Sequence, residues 1–314
     1  MKILMFGRGA ISTGCGWALE QAGHDVEFYV RPGRAAPYGD AVRLELVDAR
    51  RRPWGRRVEQ RWPVRLREEL AADHDYDLVV LSVPHHRLAE AAEFLAPRVG
   101  GATVLVLGNV WEEPEEAVEP LPLDRLAWGF PGFGGAFGAD GVLRGVLLPP
   151  VVFGTVGAPP TERELVVRQV FRAAGFRPRE RQDLRGWLWL HFAVDAGLHA
   201  QALRRGALAD LVGVPGAFRE ALRTGRELLP VLEARGIDLR RHRAAVLGLR
   251  APAWLTGSVL AWLVAHFPPA RASFRTHWDA SAAEPREIVR DAVAEARRWG
   301  VAVPRLEAAL LGTS

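Results

Sequence analysis

The chain has 314 residues, 49% of them hydrophobic, and a formal net charge of +4, a composition that fits a globular protein and excludes a disordered or collagen-like one. Cys15 is the only cysteine, which rules out an internal disulfide framework and a cysteine metal cluster. No apolar run approaches the roughly 18 residues of a membrane span, and Gly7 and Arg8 interrupt the N-terminal apolar run before a signal-peptide core forms, so a cytoplasmic protein without a membrane partner is expected.

The length exceeds what one core usually serves, so two domains are expected. Residues 2–6, KILMF, read as a strand, followed at once by GRGAIS and a helical pattern that Gly23 stops. Residues 25–30, DVEFYV, read as the next strand. Strand, glycine-rich turn, helix and strand within about thirty residues form the context in which a dinucleotide fingerprint carries meaning. Gly7 allows the tight turn and Gly9 lets the backbone approach a pyrophosphate. The first helical turn, with Ala10, Ile11 and Ser12, offers N–H groups and a positive dipole end to that anion. Ser12 stands where a third Gly or Ala is usual, so Gly14 and Gly16 are the expected points of close helix–sheet packing.

The end of the second strand separates NAD from NADP. An acid there binds a ribose 2′-hydroxyl, whereas an arginine pairs with a 2′-phosphate. Glu27 has the acid's spacing but lies mid-strand; the strand ends at Arg31, and NADP(H) is the expected cofactor. The basic run at 50–57, RRRPWGRR, reads as a solvated hairpin tip, and with no helix-turn-helix, zinc-finger or RNA-binding signature elsewhere no nucleic-acid partner is expected.

Residues 77–83 and 103–107 read as buried strands, with a helix from Arg87 to Pro97 between them. In an open α/β sheet, ligands bind at the carboxyl ends of the strands, so Ser82, Pro84, His85 and Asn109 fall near the cofactor; Asn109 has an amide that both donates and accepts. The Gly- and Phe-rich stretch from Trp128 to Gly138 predicts short antiparallel strands, with 142–148 and 151–156 completing the same sheet. Thr161 predicts a helix start, with Glu164 at the capping-box position.

From Asp183 onward the pattern is helical. The expected architecture is an α/β, Rossmann-type NADP-binding domain over residues 1–180 and an all-helical substrate or dimerisation domain over 181–314, with ligands in a cleft between domains. The helical half opens on 187–201, WLWLHFAVDAGLHAQ, where His191, Asp195 and His199 recur every four residues and so share one face, with Trp187 one turn earlier. Three chemical readings of this stripe stay open: His191 as a proton donor beside Asp195 in carbonyl reduction, Asp195 with Glu287 as carboxylates beside a cationic imine, or a metal site. A fourth is a hydrogen-bonded polar seam between helices. Trp254, Trp262 and Trp278 read mostly as core or domain interface.

The order of these pieces resembles the ketopantoate reductase (2-dehydropantoate 2-reductase) family over nearly the whole chain. The resemblance rests on MKILMFGRGAISTG with its closing Arg31, LVVLSV, the Asn109 segment, VVFGTVG, the tryptophan-led stripe helix, and the segment from Trp278 to Ile288. It implies a Rossmann domain, a helical domain, NADPH, and reduction of a small-molecule 2-oxo acid by hydride transfer. It also implies a glycine loop at Gly7 and Gly9, a phosphate-reading arginine at Arg31, a strand-end asparagine at Asn109, a substrate-side glutamate at Glu287 and a serine near Ser273. The family's catalytic lysine, two residues after the tryptophan, falls on His191, and its two asparagines fall on Asp195 and His199. A second family lysine falls on Pro84, and Lys2 is the only lysine in the chain. On this reading His191, Asp195, Glu287 and Asn109 are the catalytic candidates, and His199, Ser273 and Trp278 the substrate-binding ones. The rival from another class is a reductase-like protein that binds NADP(H) without turnover.

Overall fold

The computed structural model describes residues 1–156, 159–276 and 284–311. It divides into two compact units, Met1–Leu184 and Arg185–Ser314.

In the first unit, β1 (Lys2–Phe6), α1 (Ala10–Glu20) and β2 (Asp25–Tyr29) follow one another as the glycine spacing predicts. After α2 (Ala35–Tyr38) come β3 (Ala41–Asp48), β4 (Arg56–Pro63), β5 (Leu66–Arg67) and β6 (Leu78–Leu81). Then follow α3 (Leu88–Leu95), β7 (Thr103–Leu107), β8 (Leu126–Phe130), β9 (Phe133–Phe137), β10 (Val142–Leu147), β11 (Pro150–Gly154), α4 (Glu162–Ala173) and β12 (Arg177–Arg181). Eight strands form the main sheet in the order β12-β11-β8-β7-β6-β1-β2-β5, parallel except where β11 meets β8. The near-continuous apolar sequences of β1, β6 and β7 are those of strands buried on both faces.

The second sheet corrects the sequence reading. β10 does not join β11; it pairs with β9 and β3 in a separate four-stranded sheet, β4-β3-β10-β9. α1 packs against both sheets through its glycines. A Cβ on Gly14 would fall 2.3 Å from the Phe133 ring, and one on Gly16 would fall 2.8 Å from Phe28. These two glycines therefore carry the close packing expected of them. α4 opens with the expected capping box, in which the Thr161 hydroxyl accepts from the Glu164 N–H and the Glu164 carboxylate accepts from the Thr161 N–H. β12 was not expected: its sequence RPRER has no apolar alternation, and it exists as an edge strand by backbone pairing with β11.

The second unit is helical: α5 (Leu184–Arg205), α6 (Pro215–Arg226), α7 (Leu229–Ala234), α8 (Arg243–Arg250), α9 (Ala253–His266), α10 (Pro268–Thr276), α11 (Glu284–Arg298) and α12 (Pro304–Leu311). α5 and α6 meet at backbone distance, since a Cβ on Gly197 would lie 2.2 Å from the Ala221 carbonyl oxygen and one on Gly225 would lie 2.9 Å from that of Ala193. No single helix among the described residues is long and apolar enough to cross a membrane; α8 and α9 pass that test only as a pair bent by 88°.

Candidate functional site

The sheet order reverses around β1. From β1 the chain moves to β2 on one side and later to β6 and β7 on the other, so the switch point lies between β1 and β6. A cavity of about 340 Å³ opens there, at the carboxyl ends of β1, β2 and β6, lined by Gly7, Arg8, Arg31, Arg34, Tyr38 and Pro84 among others. Gly7 takes φ +90°, a conformation that favours glycine, and the space where a Cβ on Gly7 or Gly9 would sit is open. α1 begins after Gly9 with no side-chain cap, so the first-turn N–H groups of Ala10, Ile11 and Ser12 are left for an anion. The Ser12 hydroxyl reaches the carbonyl of Ser82 at 3.5 Å, joining the helix start to the end of β6.

Two arginines that the sequence reading passed over belong to this pocket. Arg8 stacks on Tyr38, 4.7 Å from the ring centroid, and its buried Nε has no hydrogen-bond partner among the described residues. Burial lowers its pKa from the ordinary guanidinium value. Arg34 also lies over the Tyr38 ring, 5.4 Å from its centroid. The turn carrying Arg31 and Arg34 is held from below by Glu68, whose carboxylate accepts from the Ala35 N–H at 2.6 Å and from the backbone of Gly33 and Arg34. The signal in the sequence was the pair of arginines on either side of Pro32-Gly33.

Glu27, the residue with the spacing of a ribose-binding acid, is committed elsewhere. It is buried and accepts from Arg67 Nε at 3.1 Å, Arg67 Nη2 at 3.0 Å and the Tyr76 hydroxyl. The Arg67 guanidinium, aided by Tyr76 and working against burial, holds its carboxyl at about 2. Asn109 follows β7 by two residues, and His85 and His86 open a short 3-10 turn after Pro84 with their rings 5.5 Å apart, edge to face. Cys15 is fully buried, and burial pushes its thiol up to about 12, consistent with a packing residue.

In the second unit α5 brings three of the stripe residues into contact. The Trp187 ring stacks on His191 at 5.2 Å with 10° between planes, and His191 Nε2 lies 3.3 Å from Asp195 Oδ2. The side chains of His191 and Asp195 are 30% and 20% exposed, so this pair is mostly covered but within reach of solvent, whereas His199 is 7% exposed. Burial pulls the His191 imidazole down, but the charge and hydrogen bond of Asp195 more than offset it, and its pKa lies above the ordinary histidine value. Trp189 is off the stripe, fully buried, with the Arg235 guanidinium 3.4 Å from its ring centroid. Glu287, on α11, is ion-paired with Arg290 at 2.5 Å, and Ser273 lies half-buried on α10. Trp278 lies outside the described residues. No group of three or more His, Cys, Asp or Glu among the described residues is arranged to hold a metal ion.

Two sequence expectations are corrected here. Trp254 and Trp262 are not core: they are 63% and 62% exposed on α9. In the basic run, Arg50 is not a solvated residue but 8% exposed, clamped by Asp48 through Nε and Nη2 at 2.9 Å each.

Residues 3–155 match the family model described as ketopantoate reductase PanE/ApbA. No curated protein matches the chain. Among solved structures, 2-dehydropantoate 2-reductase from Geobacter metallireducens GS-15 is similar with a TM-score of 0.68 at 18% identity, over 100% of this chain and 99% of that one. A PanE/ApbA family ketopantoate reductase from Ralstonia eutropha JMP134 is similar with a TM-score of 0.66 at 20% identity, over 99% and 96%. D-mandelate dehydrogenase, solved with NADH and anilino(oxo)acetate, is similar with a TM-score of 0.66 at 15% identity, over 100% and 97%. The α/β sheet unit followed by a helical unit is thus the fold of these proteins.

Proposed function

We propose, from the match of residues 3–155 to the ketopantoate reductase PanE/ApbA family model, that the protein is an NADP(H)-dependent reductase that converts the carbonyl of a small 2-oxo acid or related molecule to an alcohol. The carrying observation is the switch-point pocket: it joins a glycine turn and an uncapped helix N-terminus to Arg8, Arg31 and Arg34. The pyrophosphate fits the first two features, and a 2′-phosphate fits the guanidinium groups. Glu27 is spent on Arg67 and Tyr76, and Asp25 opens β2 away from its carboxyl end and pairs with Arg65, so no acid of β2 is placed for a free ribose 2′-hydroxyl, which favours NADP(H) over NAD(H). NADPH bound there supplies the hydride. The D-mandelate dehydrogenase solved with NADH and an oxo-acetate extends the same reading to aryl-substituted 2-oxo acids.

Reduction also needs a proton at the carbonyl oxygen, where negative charge builds. We assign that proton to His191. Asp195 keeps the imidazole charged toward neutral pH, and Trp187 fixes the ring plane. Asn109 contributes an amide donor and acceptor at the end of β7, and Glu287, Ser273, His199 and Trp278 are the proposed substrate contacts. The imine alternative needs carboxylates free to face a cation, but Asp195 already has His191 and Glu287 already has Arg290, so the carbonyl reading is preferred.

The proposed assembly is a homodimer built on α9. Its inner face is small and close-packed: a Cβ on Gly257 would lie 2.8 Å from the Arg219 backbone on α6. Its outer face carries Trp254, Leu255, Val259, Trp262 and Leu263, all exposed. A helix apolar on both faces is one that something covers.

Titration of the purified protein with NADPH and NADH, then assay of NADPH oxidation with ketopantoate and aryl 2-oxo acids, tests the enzyme reading. The expected outcome is tighter NADPH than NADH binding, lost in Arg31→Ala, and turnover with at least one 2-oxo acid. NADPH binding without turnover across the panel would leave a reductase-like binding protein; no binding of either nucleotide would overturn the pocket assignment.

A further inference from the structure

We propose a second oxyanion site at the opposite end of α1 from the nucleotide pocket, built for a small phosphate-bearing dianion such as a diphosphate or phosphate monoester. A cavity of about 350 Å³ lies between the C-terminal turn of α1, the β3–β4 turn and the end of α4, within the size range of small-molecule sites. Arg50, Arg51, Arg52 and Arg56 line it, with Asp48 as the one carboxylate. The run that reads in the sequence as a solvated tip is thereby folded into a concave wall.

Arg50 is the fixed part of that wall. It is clamped by Asp48, donates to the Ala174 carbonyl at the end of α4, and stacks over Trp17 and Phe176 at 5.4 and 5.3 Å. Asp48 is spent on Arg50, and Arg56 acts on Asp48 only through its field. The exposed side chains of Arg51, Arg52 and Arg56 make no ion pair among the described residues.

One structural role for these arginines is to neutralise two helix ends, and magnitudes decide how far that goes. Each helix C-terminus is worth about half a negative charge. Four guanidinium groups set against Asp48 and two such ends still leave roughly two positive charges in the cavity. That surplus matches a dianion, and forked guanidinium donors suit phosphate oxygens bidentately. The recess, with Arg50 at its base, fits a compact ligand better than a polynucleotide, which asks for a basic stripe along a surface. The two sites stand about 16 Å apart along the 11 residues of α1.

Calorimetric titration of the full chain with inorganic pyrophosphate at low ionic strength tests this. In Gly9→Asp, which sets a carboxylate at the start of α1 and so closes the nucleotide pocket to pyrophosphate, saturable one-site binding is expected to remain, at least tenfold weaker once Arg51→Ser/Arg56→Ser is added and weakened by Arg52→Ser. All three substituted side chains in the cavity are exposed, so the variants are expected to melt with the parent. Absence of saturable heat overturns the proposal. So does binding lost in Gly9→Asp but kept in the cavity variants, which would put the anion in the nucleotide pocket. A short DNA duplex that displaces pyrophosphate at lower concentration would replace the small dianion with nucleic acid. The inference does not depend on the reductase reading, and neither result decides the other.

Discussion

At 3.3 Å the Asp195 carboxylate is close enough to His191 to decide its charge, and the direction of its effect opposes that of burial. A general acid works in its protonated form, so kcat/KM should be flat below the His191 pKa and fall above it. Because that pKa lies above the ordinary value of 6.5, the fall should come later in pH than for a free imidazole. Asp195→Asn removes the charge but keeps a polar partner, and the descending limb should move to lower pH; His191→Ala should abolish that limb and cost on the order of 10²–10⁴-fold in kcat/KM. A pH–rate profile of the three proteins checks both, and an Asp195→Asn limb at the parent's position would remove Asp195 from this role. Stability carries the same sign. A raised folded pKa stabilises the folded state below the unfolded value of His191, and that contribution is lost as pH rises through the folded one. The pair was legible in the sequence because a four-residue recurrence fixes one helix face. Arg8 was not, because nothing in a one-dimensional pattern says that a guanidinium folds back over Tyr38.

α1 joins the nucleotide turn to both sheets, and its two glycines set how closely it lies. In a free helix Gly14→Ala would gain about 1 kcal/mol from propensity. Here the new methyl would sit 2.3–2.7 Å from three atoms of the Phe133 ring, and Phe133 is itself buried. Overpacking of that kind costs about 1–3 kcal/mol, so the net expectation is destabilisation by up to about 2 kcal/mol, read from a urea or thermal melt. A Gly14→Ala variant more stable than the parent would mean that the helix moves freely over β9. β1, α1 and β2 could be read from the sequence because apolar runs and glycine spacing encode them locally. The division of the Gly- and Phe-rich strands between two sheets could not, because β10 finds β3 from nearly a hundred residues away and β11 finds β8. β12 was invisible for another reason: an edge strand of charged residues owes its place to its partner's backbone.

At the scale of the whole molecule, the exposed face of α9 is the feature that a lone chain does not explain. Trp254 and Trp262 lie eight residues apart on one stripe, with Ser258 midway. The Ser258 hydroxyl donates to the Trp254 carbonyl at 2.7 Å, so this face can be covered without stranding a polar group. An antiparallel pairing of two copies about Ser258 would set Trp254 of each against Trp262 of the other, the self-complementary contact that a two-fold axis requires. At 63% and 62% exposure the two tryptophans alone offer roughly 300 Å², a large share of the ~800 Å² each partner contributes to a stable interface. The expectation is a dimer by sedimentation at micromolar concentration, converted to monomer by Trp254→Glu/Trp262→Glu with the melting temperature of the helical unit preserved. A parent chain that sediments as a monomer, or a variant that stays dimeric, would overturn this. Flotation of the monomer with lipid vesicles would instead assign the α9 face to a membrane surface. The tryptophans read as core or domain interface in the sequence because Trp is usually covered, and what distinguishes these two is position: Ala253, Gly257, Ala261 and Val264 already fill the inner side of α9.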